Sequence, residues 1–456
     1  MSVAPPPAGG FALQFDTVIV GGGAGGMVAA LTSAEQGRSC LILERDAVQA
    51  GSTALSAGLI PAAGTRMQAN AGIKDSPSAF AVDIQTKARG EADGAVVKAL
   101  CAQSGPTIEW LAETHDMPFS VVADFDYPGH STRRMHGLPS RAGQELVDRL
   151  REACTRMEGI ETLTEAKVTT LYAEEDGEIA GVAYTRPDGG LDRVGCGRLI
   201  LACNGFGGNA EMVAMQTPEI RDALYFGHDG NQGDALVWGA GLGAATRHLD
   251  AYQGHGNVAH PHGILVTWAV MAEGGVQVNR EGKRFWNESL GYSEAAREVL
   301  RQPGGEAYAI FDSRIASIAR QFEDFRAAET AGAIVTADTP EALAARLGLP
   351  GPTLVQTMLG LESLKACSFG RIFDPTKRLR PPYHGVRVTG ALFHTQGGLD
   401  ITPEGQVKRA AGGVLPNLYA VGGAACGVSG SGDAGYLSGN GLLSAVVLGR
   451  LAGAAP

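Results

Sequence analysis

A chain of 456 residues is too long for one ordinary hydrophobic core, and two domains are expected. With 37 basic against 48 acidic residues, a formal charge of −11 and no basic stripe, the composition argues against a nucleic-acid partner. No apolar run reaches the ~18 residues of a membrane helix, and residues 1–10, rich in Pro and Ala without a basic region, do not read as a signal peptide; cytoplasm is the expected compartment.

The most informative unit comes first. Residues 16–20 read as a short buried strand, Gly21, Gly23 and Gly26 supply the G-x-G-x-x-G spacing, and residues 27–36 continue as a helix that Gly37 stops. A second apolar run, Cys40-Leu-Ile-Leu43, delivers Glu44 eighteen residues after Gly26. Gly21 permits the tight turn, Gly23 admits a pyrophosphate to the backbone, and Gly26 lets helix and strand pack closely. The helix N-terminus, with Ala24 and Gly25 in its first turn, offers free N–H groups and a positive dipole end. Glu44 can accept hydrogen bonds from both ribose hydroxyls. An acid there disfavours a 2′-phosphate, so FAD or NAD fits better than NADP.

Beyond this unit lies a small-residue stretch, Gly51-Ser-Thr-Ala-Leu-Ser-Ala-Gly58, then helical patterns over 79–90 and 93–115 and a Pro/Gly/His-rich loop over 124–139. Residues 143–157 have the period of an amphipathic helix. Strand-like runs at 168–172, 179–185 and 193–203 surround a turn, Pro187-Asp-Gly-Gly190, and the last run exits through Asn204-Gly-Phe-Gly-Gly-Asn209. From about 256 to 393 the texture changes to hairpin and helices with less glycine. Pro416-Asn-Leu-Tyr-Ala-Val-Gly-Gly423 then returns to strand and glycine, and 442–452 close the chain as a helix. Nucleotide-type features at both ends imply a discontinuous Rossmann-like α/β domain (1–255 and 394–456) carrying an inserted α+β cap (256–393). The seven cysteines form no C-x-x-C and sit in apolar company, so buried free thiols are expected and no metal site.

Several stretches, in this order, resemble the soluble FAD flavoproteins of the fumarate reductase and succinate dehydrogenase type, a family that includes the 3-ketosteroid dehydrogenases. They are the N-terminal unit, Gly51-Ser-Thr53, Gly129-His-Ser-Thr-Arg-Arg-Met-His136, Ala202-Cys-Asn-Gly-Phe-Gly-Gly-Asn209, Gly230-Asn-Gln-Gly-Asp234, His260-Pro261, the segment from Gly275 to Glu288, His394-Thr-Gln-Gly-Gly398 and Tyr419-Ala-Val-Gly-Gly423. The resemblance implies extended FAD, a cap over its ring, and hydride transfer between flavin and a C–C bond beside a carbonyl. It implies FAD contacts at Gly21, Gly23, Ala24, Gly25, Gly26, Glu44, Arg45, Gly51, Ser52, Thr53, Gly58, Gly205, Asp234, Gly422, Gly423, Gly439 and Leu442. Where members with covalent flavin carry a histidine this chain has Ser52, so FAD is expected to be held without a bond.

For the substrate, His260 and His394 resemble two histidines with which fumarate reductases grip a carboxylate. Their acid arginine, four residues after Arg-Phe-x-Asn-Glu, falls at Tyr292 here, and a second substrate arginine falls at Tyr436. A dicarboxylate would lose charge-assisted contacts worth ~1.5–3 kcal/mol each. Asn287-Glu-Ser-Leu-Gly-Tyr292 instead resembles the ketosteroid dehydrogenases, whose tyrosine is the base for the alpha proton; Tyr383 and Gly390 resemble their pair that holds the ketone oxygen. Such a base needs a lowered pKa or a relay, for which Tyr127 is a candidate. The expected activity is therefore oxidation or reduction of a CH–CH bond beside a carbonyl, with His260 and His394 orienting the rest. The alternative is reduction of an unsaturated carboxylate, with Arg284 and Arg387 replacing the lost arginines. A flavin-binding or electron-transfer protein without catalysis is the alternative of another class. With one dinucleotide unit, electrons are expected to exchange with a quinone, another protein, a dye or oxygen.

Overall fold

The computed structural model describes residues 1–123 and 126–456; the first two residues of the loop expected over 124–139 lie outside it. Five parallel strands form the heart of the larger sheet, in the order Val414–Ala420, Leu191–Leu201, Gln14–Val20, Cys40–Leu43 and Ile160–Leu163. Cys40–Leu43 is buried along its whole length, and Gln14–Val20 from Thr17 onward, as a parallel strand covered on both faces requires. The hairpin Lys167–Ala173 and Ile179–Thr185 pairs with the outer half of Leu191–Leu201. Ser2–Ala4 adds an edge strand beside Lys167–Ala173. Nothing in its Pro/Ala-rich sequence announced that strand, because edge pairing uses main-chain groups alone.

The first helix, Ala24–Glu35, starts three residues before the expected 27, because its glycines form the first turn instead of preceding it. It packs on the closing helix, Asn440–Ala454. Small residues allow that approach: a Cβ on Gly449 would lie 2.5 Å from the Gly25 carbonyl oxygen, and one on Gly453 2.6 Å from that of Ala29. The packing brings both helix N-termini to one end of the parallel sheet.

The second body is built on the long strand Tyr383–Thr395. Glu306–Asp312 and Tyr252–Ala259 pair with it antiparallel, and Val276–Val278 extends the sheet beyond Glu306–Asp312. Helix Tyr292–Leu300 lies across Tyr252–Ala259, and its start points back at the larger domain. Both expected junctions, at 255/256 and 393/394, fall inside strands of this sheet, which runs on to Leu224–Tyr225 of the first segment. The architecture is a discontinuous Rossmann-like α/β domain with an inserted α+β cap.

Candidate functional site

A long cleft opens at the C-terminal ends of the parallel strands, where open α/β sheets bind ligands. One end holds Glu44, buried and anchored by the Gly22 N–H to Oε2 at 2.8 Å and the Asp46 N–H to Oε1 at 3.0 Å. Beside it, Arg45 donates to the Gly230 carbonyl at 2.9 Å and Asp234 begins the helix Asp234–Gly241; burial raises the Asp234 carboxyl above its usual range. The middle is backbone. Gly21, Gly23, Ala24, Gly25, Gly51, Thr53, Gly422 and Gly423 line it; the N-cap of the first helix, Gly23, has no side chain to close the end, and the Ala24 N–H donates to the Thr53 hydroxyl at 3.2 Å. A Cβ on Gly51 would meet nothing within 4 Å, and one on Gly23 only the Thr53 hydroxyl at 3.6 Å, so the chain leaves that space to a ligand. The far end receives the second helix N-terminus, with Gly441 and Leu442, and the buried Ser444 hydroxyl, which has no partner among the described residues. An acid for ribose, two helix N-termini and a bare glycine wall between them fit FAD along its length.

Four of the expected cofactor residues stand outside this cleft. Gly26, Gly58 and Gly205 face protein: an added Cβ would sit 2.0 Å from the Gly21 carbonyl oxygen, 2.8 Å from that of Ala142 and 2.0 Å from the Thr395 hydroxyl. They permit close packing around the cleft. Gly439 caps the closing helix at φ 86° and lines the adjoining cavity.

That cavity, about 360 Å³, lies between the domains and meets the cleft at Ser52, Ser56, His394 and Leu442. The Ser52 hydroxyl accepts from the amides of Asn204 (3.1 Å) and Asn231 (2.9 Å), which leaves its own proton to donate elsewhere. Four rings follow one another around the wall. His255 stacks on Tyr292 (centroids 4.9 Å apart), Tyr292 meets Tyr436 edge-on (5.9 Å), and Tyr436 meets His394 (5.7 Å). Trp268, Phe226, Phe393 and Leu265 make most of the remainder apolar, and Arg141, bonded to Gln321 at 2.6 Å, is the one cation among the described lining residues.

All four rings are neutral at physiological pH. Burial pulls His255 down to about 3 and His394 to about 4. It pushes Tyr436 up to about 12 and Tyr292 well above the ordinary tyrosine range, the Tyr436 hydroxyl adding to the rise at Tyr292. The tautomers follow from neighbours. The Asn440 amide donates to Ser429, Ser429 to the Gln396 carbonyl oxygen (2.7 Å), and the Gln396 amide therefore to His394 Nδ1 (2.9 Å). The Asn257 N–H donates to His255 Nδ1 at 3.2 Å. The Thr395 carbonyl also lies 3.4 Å from His394 Nδ1, but the Gln396 contact is shorter, and both histidines thus carry their proton on Nε2.

The other expected catalytic residues do not join them. His260, one residue past the strand Tyr252–Ala259, pairs with Glu306 at 3.2 Å, the carboxylate that also holds Arg280 and Arg387. Tyr383 and Gly390 sit seven residues apart on one strand, about 23 Å at the usual rise, so they cannot hold one carbonyl oxygen. Tyr383 lines a different cavity, and a Cβ on Gly390 would sit 2.4 Å from the Ala296 carbonyl oxygen. Arg284 is committed to Glu288 and stands over Phe373. Tyr127 does line the cavity, but burial pushes its hydroxyl up as well, so no lowered tyrosine is present in the set. His255 is the residue that sequence reasoning passed over. The signal was available: Gln253 and His255 alternate along one strand face, and both reach the cavity.

A family described as FAD binding domain matches residues 16–442. A probable fumarate reductase of Shewanella frigidimarina is 30% identical over 444 residues, covering 96% of this chain and 74% of that protein. A 3-oxosteroid 1-dehydrogenase of Mycolicibacterium smegmatis is 26% identical, covering 90% of this chain and 91% of its own. Among solved structures, the open conformation of a flavocytochrome c3 fumarate reductase superposes with a TM-score of 0.82 at 28% identity, over 98% of this chain and 78% of that one. Among the described residues no helix is long and apolar enough to cross a membrane.

Proposed function

The chain belongs to the FAD binding domain family and is an FAD-dependent enzyme acting on CH–CH groups, and on that premise we propose that it reduces the double bond conjugated to the carbonyl of an uncharged, apolar compound. The cap is taken as residues 256–393, the cofactor as noncovalent because Ser52 stands at the attachment place, and the compartment as cytoplasm, in keeping with seven free thiols. Bound FAD contributes hydride exchange with the carbon beta to the carbonyl. Everything else is the chain's own work. The four neutral rings are the observation that carries the reading: they offer two N–H and two O–H donors and no fixed charge of their own, although Arg141, Glu323 and Asp324 also line the cavity. Tyr436, His255 and His394 hold the carbonyl oxygen, where negative charge grows as the double bond is reduced. Tyr292, kept protonated by burial, gives its hydroxyl proton to the alpha carbon and recovers one from solvent.

Burial keeps Tyr292 in the protonated form from which a donor to the alpha carbon must start, and because burial equally opposes the tyrosinate that the transfer leaves, the proton has to be replaced within the same cycle. Electrons come from a quinone, another protein, a dye or a similar donor, since the one dinucleotide cleft is filled by FAD. The test is anaerobic. Dye-reduced holoenzyme mixed with 2-cyclohexenone should reoxidise within seconds, whereas NADH should reduce the flavin slowly. A flavin that stays reduced across a panel of uncharged enones sinks the reading. A second reading, an unsaturated carboxylate, rests on Arg141 in the cavity wall and on the fumarate reductase relative. Rapid reoxidation by fumarate, lost in Arg141→Gln, would select it.

A further inference from the structure

A second cavity, about 530 Å³ and larger than the one that holds the four rings, lies between the cap and residues 126–130 of the first segment. Two residues line both: Tyr127 and Trp268. The Trp268 indole stands directly behind the reacting groups, 6.3 Å between ring centres from Tyr292 and 5.7 Å from His255. On its other side the chamber is walled by Met271, Met358 and Phe373 and opens to solvent between Leu359 and Ile372, which are 56% and 81% exposed. Large apolar side chains held that far into water at the lip of a cavity mark a binding surface more often than a packing one. Of the charges around the chamber, Arg371 is paired with Glu288 at 3.0 Å and Lys377 with Glu273 at 2.8 Å, while Glu362, Asp374 and Arg378 also line it.

We propose that this chamber is a distal subsite: it binds the uncharged apolar end of an elongated carbonyl substrate whose reacting end lies among the four rings, with Trp268 and Tyr127 as the partition it passes. The inference rests on the proposed function for which end reacts, but the chamber's ligand class follows from its own walls. Its volume lies in the range of small-molecule sites, and Met271, Met358, Leu359, Ile372 and Phe373 give an aliphatic or aromatic chain an apolar wall to lie on. The two shared side chains make the chambers neighbours across one wall, so a single elongated molecule fills both where Trp268 and Tyr127 give way.

The test compares a short and a long ketone on the FAD-loaded enzyme. By calorimetry, 4-octylcyclohexanone should bind wild type on the order of 30-fold more tightly than cyclohexanone, a fraction of what full burial of the octyl chain would give. Leu359→Trp and Leu359→Trp/Ile372→Trp, at exposed positions where folding is at little risk, should cut that preference to below about threefold and leave cyclohexanone binding and 2-cyclohexenone turnover unchanged. A length preference that survives the double variant overturns the chamber, as does an equal loss for both ketones or failure of the long ketone to bind wild type. If 2-cyclohexenone is not reduced while the long ketone still binds in a variant-sensitive way, the reaction assignment fails and the subsite stands.

Discussion

The cofactor cleft and the reaction cavity adjoin at Ser52 and His394, yet they are made of different material. The cleft is backbone: glycines, helix ends and one anchored carboxylate. The cavity is side chains, four aromatic or heteroaromatic rings contributed by the strand Tyr252–Ala259, the helix Tyr292–Leu300 and the two segments that hold His394 and Tyr436. A backbone site tolerates changes in the residues around it but not an added atom where chains touch. A side-chain site tolerates changes of shape at its edges but depends on each functional group. Substitutions in the two regions should therefore fail differently, one by losing cofactor and the other by losing rate.

The largest effect should come from the cleft. In Gly26→Val the new Cβ would stand 2.0 Å from the Gly21 carbonyl oxygen, main chain that cannot swing away. The turn must deform, and the purified variant should be colourless, with no FAD in the supernatant after acid precipitation. A yellow variant with wild-type FAD content would break the claim that backbone approach builds this site.

Next comes Tyr292→Phe, which keeps the ring and its stack on His255 and deletes one oxygen. Loss of a proton donor should slow enone reduction ~100-fold or more, with the flavin spectrum and ketone affinity retained. If the rate falls less than threefold, another group supplies the proton, and the hydroxyls of Tyr436 and Tyr127 become the ones to remove.

The same contrast explains what could be read from the sequence. The first glycine unit and Glu44 are local: their spacing is the geometry, and strand and turn lie where the pattern puts them, with the helix beginning three residues early. Gly26 was read both as the glycine that lets helix and strand pack and as a cofactor contact, and Gly205 as a contact; spacing cannot tell a glycine that admits a ligand from one that admits another chain. The cavity depends on register between distant segments. His260 drew attention through its proline neighbour, yet the cavity-facing parity of the strand belongs to Gln253 and His255, and the register against Tyr383–Thr395 shifts between His255 and Val258. No one-dimensional pattern announces that shift. Tyr383 and Gly390 failed for a plainer reason: seven residues of unbroken strand hold them apart.

A smaller effect should attend Gln396→Leu. This side chain touches His394 and is itself oriented by Ser429 and Asn440, so it is a positioning residue. Without its amide the two tautomers of His394 become comparable in energy, and the Nε2–H donor is present only part of the time. We expect a ~5- to 10-fold fall in kcat with KM nearly constant, partly rescued in Gln396→Asn if the shorter amide still reaches. A merely structural role would lower the melting temperature and leave kcat per bound FAD unchanged.

The smallest effect concerns acid stability. His255 and His394 have folded pKa values of about 3 and about 4, both below the unfolded value of about 6.5. Below pH 6.5 the unfolded chain therefore binds more protons than the folded one, so stability falls with pH through the window from about 6.5 to about 4. Each histidine contributes roughly 1–2 kcal/mol of that loss between pH 7 and 5. His130 and His136, also buried and held at about 4, act in the same direction, so the whole acid limb is not the cavity's alone. The discriminating quantity is a difference: the melting temperature of FAD-loaded His394→Gln should fall less between pH 7 and pH 5 than that of wild type, by a degree or a few. Equal falls would mean that His394 already binds a proton in the folded enzyme at pH 5. A charged imidazolium would then face the cavity, and the carboxylate reading would gain the cation that the neutral rings now deny it.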